Sequence, residues 1–247
     1  MQKAWFYEEY GPKDVQQLGD VLIPYPQTDQ LLVQVVPGCD MVGVVVAKGD
    51  GVLRFDVDNE AEGKLRQLGF LAEFVVLEEE LVVVKPKNVS FEEAASLPVA
   101  VQTTVEGFKI AGFKKEHTGK VDFVKGLGTD KVVDYTKTSS EGVEEKYDLV
   151  FDTIVDSRKS YMVAKEDAPV IDITWLPSNP RAWQTNLTAS GKILEELGPH
   201  LESGRLKAVI DRTGPFPFSN GIEAFGKKLS SLPLFPPPMI LLMHLMN

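Results

Sequence analysis

The sequence predicts an α/β protein in two parts, a small all-β unit followed by a parallel-sheet unit. Three observations carry this. Up to about residue 90 the apolar residues fall in short β-rich runs separated by turn residues. At Ser90 the pattern switches to helical spacing. Beyond it, short apolar runs ending in Asp alternate with helical or polar stretches, the pattern of βαβ units.

The elements follow in order. Gly11-Pro12 and Pro24-Tyr25-Pro26 punctuate the first strands, and Leu31–Val36 and Val42–Ala47 are β-rich runs. The second run closes on a hairpin turn at Gly49-Asp50-Gly51, and Phe55–Glu60 is an acidic turn. Leu71–Leu77 is a half-buried strand, and Leu81–Val84 follows it. Ser90 and Glu93 have the spacing of a capping box, which starts a helix through Ala94, Ala95 and Leu97. Pro98 interrupts that helix, and a second is predicted from Val99 to Ile110. The later strands are Val132–Tyr135, Leu149–Asp152 and Val170–Ile173.

Composition narrows the class of function. The 247 residues are 43% hydrophobic and 25% charged, with a formal net charge of -10, the profile of a globular protein that phosphate backbones repel. No nucleic-acid partner is expected. A single cysteine, Cys39, leaves no intramolecular disulfide and reads as a packed or turn residue. The three histidines, His117, His200 and His244, are not spaced as ligands on one helix face, so no metal site is expected. The N-terminus carries Glu8 and Glu9 and has neither an apolar signal core nor the Arg- and Ser-rich composition of a transit peptide, so the cytoplasm is the expected location. The apolar tail, 229–247, holds Pro236-Pro237-Pro238. A spanning helix needs about 20 apolar residues, so no membrane partner is expected, and the tail reads as disordered or loosely docked.

Motifs for chemistry are sparse. A dinucleotide fingerprint needs a strand, G-x-G-x-x-G and a helix, because glycine lets backbone amides approach a pyrophosphate. Gly126-Leu127-Gly128 comes nearest, but it precedes a strand and Lys131 stands at the third glycine; it reads as a helix end and turn. No P-loop, nucleophile elbow or H-E-x-x-H occurs. Asp134, Asp152 and Asp172, at strand ends, are either catalytic carboxylates or caps of the following turn.

Longer segments carry a resemblance. Pro37-Gly38-Cys39-Asp40-Met41-Val42-Gly43-Val44-Val45 resembles the P-G-x-D-x-x-G-x-V segment of medium-chain dehydrogenases/reductases. Ala94–Thr103 resembles their A-A-x-L-P…T entry to the cofactor domain, and Phe123–Tyr135 and Tyr147–Ile154 continue in register. Lys3-Ala4-Trp5 and Val170–Trp175 are similar to the plant alkenal/enone oxidoreductases, a zinc-independent, quinone-oxidoreductase-like branch. The resemblance covers most of residues 1–225.

It implies a GroES-like β domain plus an incomplete Rossmann domain. The corresponding division is 1–98 as the catalytic domain, 99–205 as the cofactor domain, 206–228 as a return segment and 229–247 as a divergent tail. It also implies NADPH as cofactor, an enone or quinone as small-molecule substrate, and reduction of the C=C bond of an α,β-unsaturated carbonyl. Thr103 resembles the threonine that contacts the cofactor from the interdomain helix. Tyr135 resembles the tyrosine near the adenosine phosphate, while Ile154, Ile173 and Thr174 resemble residues at the nicotinamide end. Each has an alternative role in strand-end packing. No catalytic residue is identified.

The departures are large. Between Val36 and Pro37 the family carries a further stretch with an N-P-x-D motif, and between Lys120 and Val121 a strand, a G-G-A-G-G-V-G loop, its helix and a second strand. This sequence has neither. Its G-D-x-V-x-G segment reads as shortened around Asp58-Asn59, and beyond Phe225 the tail replaces an expected G-K-x-V strand. Abrupt losses between segments in register look like omitted exons. A βαβ unit takes roughly 30 residues, and losing one removes a central strand. The alternative to an enzyme is therefore a non-catalytic remnant with open sheet edges, prone to self-association.

Overall fold

The computed structural model describes residues 1–36, 40–64, 71–110, 142–153, 157–173, 182–184, 189–208, 210, 216–230 and 240–243. Tyr135, Ile154, Thr174, the Gly126–Gly128 turn and the strand expected at Val132–Tyr135 lie outside the described residues. The chain divides into two compact units: Met1–Gln102 with Leu187–Ser231, and Thr103–Asn186 with Leu232–Asn247.

The first unit is built on antiparallel strands. β1 (Gln2–Phe6) and β2 (Gln17–Val21) form a two-stranded sheet. A five-stranded sheet contains β3 (Gln30–Val36), β4 (Asp40–Lys48), β5 (Glu60–Lys64), β6 (Phe74–Glu78) and β7 (Val82–Val84), in the spatial order β6-β3-β4-β5-β7. Alternation explains the core: Leu31 and Val33 on β3, and Val75 and Leu77 on β6, face one way and are buried. They meet Met41, Val45, Phe55, Ala61 and Leu81 in one apolar cluster. Phe55, 1% exposed, contributes about 2–3 kcal/mol by its burial alone.

Two sequence readings change here. The turn at Gly49-Asp50-Gly51 does not close a hairpin to the next strand. Its amides pair backwards, Gly49 N–H to the Gln30 carbonyl at 2.9 Å and Gly51 N–H to that of Thr28 at 2.8 Å, and β5 starts only at Glu60. The strand read from Leu71 begins at Phe74; Ala72 contributes an isolated bridge to Ala4. In the turn before β5, Asp58 takes a left-handed φ of 72°. Aspartate tolerates that conformation better than most side chains. The direct join at Val36-Pro37 leaves β3 and β4 as antiparallel neighbours, Val36 opposite Val42.

The helices of this unit start and stop as their end groups require. α1 (Phe91–Ala95) has the full capping box: Glu93 N–H donates to Ser90 Oγ at 3.1 Å, and Ser90 N–H to the Glu93 carboxylate at 2.9 Å. α2 (Pro98–Ile110) opens on Pro98, where a missing N–H costs nothing. α4 (Gly191–Glu202) ends with the Leu201 and Glu202 carbonyls accepting from the Asn88 amide at 3.1 and 3.3 Å. α5 (Gly221–Ser230) follows a turn whose Phe218 carbonyl accepts from the Trp5 indole at 2.8 Å.

In the second unit β8 (Leu149–Asp152), α3 (Ser157–Val163) and β9 (Val170–Asp172) form a βαβ crossover, with β8 and β9 parallel. β10 (Trp183–Gln184) extends the parallel sheet beside β9. On its other side β8 pairs antiparallel with β11 (Ile240–Met243). The tail read as disordered or loosely docked thus contributes a strand. Val143, Tyr147, Val150, Val163, Ala164 and Val170 form the local core.

Two substitutions test the strand packing. At Gly43 a Cβ would stand 2.0 Å from the Gln34 carbonyl oxygen, so Gly43→Ala should lower unfolding free energy by about 1–3 kcal/mol in urea titration. Asp58→Gly should raise it by about 1 kcal/mol, through relief of the left-handed backbone.

Candidate active site

In the second unit, parallel strands bring their carboxyl ends together at Asp152-Thr153 and Asp172-Ile173, the place where open α/β sheets take ligands. The Ile173 N–H donates to the Asp152 carbonyl at 3.3 Å, so the two strand ends are tied through the backbone. Thr153 and Ile173 are half-buried there. Of the five expected cofactor contacts, Ile173 lies at this strand end and Thr103 lies on α2. Gly107, one turn along the same face as Thr103, packs against the strands: a Cβ there would be 2.3 Å from the Phe151 ring and 3.2 Å from Ile171.

Asp152 is a structural carboxylate. It is fully buried and accepts a hydrogen bond from the buried Ser160 hydroxyl of α3 at 2.8 Å, which fastens the crossover helix to β8. Asp172 is equally buried. Tyr147 stands at the other, amino end of β8; burial, and then its hydrogen bond to Glu145, push its phenol up to about 12, so it stays protonated.

The strand ends suit the planar, amide-bearing end of a nicotinamide cofactor: a hydroxyl at Thr153 and an apolar wall at Ile173, over backbone already paired. Among the described residues no glycine-rich turn opens a helix beside β8, and the neighbour on that side is antiparallel β11. Thr153 and Ile173 are the residues that would hold the nicotinamide end, and the phosphate end has no counterpart among the described residues. No group of three or more metal-ligating side chains occurs among them either.

The first unit holds a second polar cluster that patterning did not reveal. Asp40 receives the Val99 N–H on both carboxylate oxygens, at 3.0 and 2.9 Å, and so caps α2 from a distant strand. Glu62 on β5 is 2% exposed and its Oε2 has no hydrogen-bond partner among the described residues. The nearby Lys85 ammonium is committed elsewhere, to the Val89 carbonyl at 2.6 Å, the Pro86 carbonyl at 3.1 Å and the Glu60 carboxylate at 3.1 Å, which uses its three donors. Gln102, also fully buried, accepts from Ser190 N–H at 3.2 Å. The only signal in the sequence was an acid between the small residues Ala61 and Gly63.

Burial, opposed by Lys85 and reinforced by Asp40, raises the Glu62 carboxyl from 4.5 to about 7. A carboxyl raised on folding adds stability that is complete below its unfolded value and is lost as pH climbs to the folded one. Stability should thus fall between pH 4.5 and 7, by at most about 3 kcal/mol. Glu62→Gln should flatten that slope in urea titrations across the same range.

Comparison with known proteins places these features. Residues 127–229 match the family model described as zinc-binding dehydrogenase. The chain is 33% identical to the 2-methylene-furan-3-one reductase of Solanum lycopersicum and 32% identical to the NADPH-dependent alkenal/one oxidoreductase, chloroplastic, of Arabidopsis thaliana. Each match takes in 90% of this chain and 75% of the relative. Both alignments run over 291 positions, more than the chain's 247 residues, so the relatives hold stretches with no counterpart here. Among solved structures, the quinone oxidoreductase from Coxiella burnetii has the same fold, with a TM-score of 0.80 at 17% identity over 99% of both chains. With its β unit, its parallel βαβ crossover and this degree of identity, the chain belongs to the alkenal/enone oxidoreductase family of the medium-chain dehydrogenases/reductases.

Proposed function

We propose that this protein is an NAD(P)H-dependent oxidoreductase that reduces the activated C=C bond of α,β-unsaturated carbonyls, or a quinone. The observation that carries the reading is the joined pair of strand ends, Asp152-Thr153 and Ile173, on an intact β8-α3-β9 crossover. A nicotinamide bound there supplies a hydride equivalent for the β-carbon of the substrate. The chain's own residues contribute position and dryness. Thr153 offers a half-buried hydroxyl, Ile173 an apolar surface, and the Ser160–Asp152 bond keeps β8 and α3 from shifting under them. Thr103, Tyr135, Ile154 and Thr174 complete the assigned cofactor contacts.

The same reading assigns residues 1–98 to catalysis and 99–205 to the cofactor; the separation of an antiparallel from a largely parallel unit supports the break near residue 98, whereas 187–205 pack with the first unit. NADPH in particular is supported by the Arabidopsis thaliana relative, named for it. Among the described residues no helix is long and apolar enough to cross a membrane.

A second reading, a non-catalytic remnant that associates with itself, is favoured by one observation: the sequence lacks a glycine-rich loop to hold the pyrophosphate. Titration separates the two. The enzyme reading expects saturable quenching of the fluorescence of Trp5, Trp175 and Trp183 by NADPH in the millimolar range, with cofactor oxidation dependent on an added enone or quinone. No saturable change at millimolar NADPH would leave the remnant.

A further inference from the structure

β8 is buried along its whole length, with Leu149, Val150 and Asp152 at 0% exposure and Phe151 at 4%. A strand so placed needs a neighbour on each edge, because amides and carbonyls shut away from water must be hydrogen-bonded. β9 serves one edge in parallel register, Val150 opposite Val170 and Asp152 opposite Asp172. The other edge is served from the C-terminal end of the chain: Ile240 lies opposite Asp152, Leu241 opposite Phe151, Leu242 opposite Val150 and Met243 opposite Leu149.

This neighbour runs against the direction of the other three strands. A parallel partner requires a crossover of a dozen or more residues, usually a helix, whereas an antiparallel one can arrive on a plain segment. β11 is a short antiparallel strand of this kind. It follows Pro236-Pro237-Pro238, which cannot form a helix, and its apolar Ile240–Met243 run suits a buried sheet. It is also where the sequence leaves the family pattern, in a chain shorter than the alignments it makes.

We propose that the C-terminal Ile240–Met243 strand is a built-in strand donor. It closes the edge of β8, in the place of a missing parallel strand, and keeps that edge from pairing with a second copy of the chain. The edge of β8 is thus an interaction surface whose resident occupant is the protein's own tail. The proposal is independent of cofactor binding or turnover.

Hydrogen exchange on the full chain tests it directly. The amides of 240–243 and 149–152 should exchange at least about 100-fold more slowly than in an unstructured peptide. Coil-like exchange at 240–243 in the unaltered protein would overturn the proposal, whatever any variant does. In the full chain, the double substitution Leu241→Pro with Leu242→Pro, and separately a chain ending at Ser231, should lose protection at 149–152. Both should show a mass that rises with concentration in light scattering, reversed by a synthetic peptide of residues 232–247. Variants that keep wild-type protection at 149–152 and a constant mass would equally refute it.

Discussion

Everything in the second unit is organised around one constraint: β8 is buried on both faces, so both of its edges must be hydrogen-bonded inside the protein. β9 meets this on one side through the α3 crossover, and the Ser160–Asp152 bond holds that crossover in place. β11 meets it on the other. With β8 so enclosed, its carboxyl end and that of β9 become a fixed platform, and the residues just beyond them, Thr153 and Ile173, inherit a defined position. The candidate site is thus a consequence of strand satisfaction, because its residues are the first that the sheet no longer needs.

The first unit solves a different problem. Its five-stranded sheet buries a continuous apolar cluster, and within that unit two carboxylates lie at or close to the buried interior. Asp40 is stabilised by what it does, accepting the Val99 N–H and setting a negative charge at the start of α2. Glu62 makes no such contact: its burial raises the carboxyl, and the Lys85 ammonium, itself bonded to Glu60 and two carbonyls, opposes that shift only in part.

Much of the fold was legible from patterning. The Ser90–Glu93 box, the break at Pro98 and the runs at 149–152 and 170–172 are local signals, fixed by residues three or four apart or by a short continuous apolar stretch, and the structure follows them closely. Ile173 was legible as the residue just beyond a strand end for the same reason, since it follows a recognisable strand. Asp40 as a distant helix cap, Glu62 as a buried acid and Ser160 as the anchor of Asp152 were not. Each depends on a partner far away in sequence or on a neighbour's prior commitment, and neither leaves a periodic trace.

The tail shows how local reading errs. The tail reads as disordered because triple proline and a short apolar run satisfy no local rule, yet a run of four apolar residues is enough once a buried strand offers an edge. The sequence by itself determined the two-part plan, the family, and the positions of β8, β9 and the helices begun at Ser90 and Pro98, since these rest on spacing and composition within a few residues. Only the tertiary structure decided which strand lies beside which, which carboxylate is left without a partner and what occupies the edge of β8, because hydrogen-bond satisfaction of buried groups is settled among residues that meet only when the chain has folded.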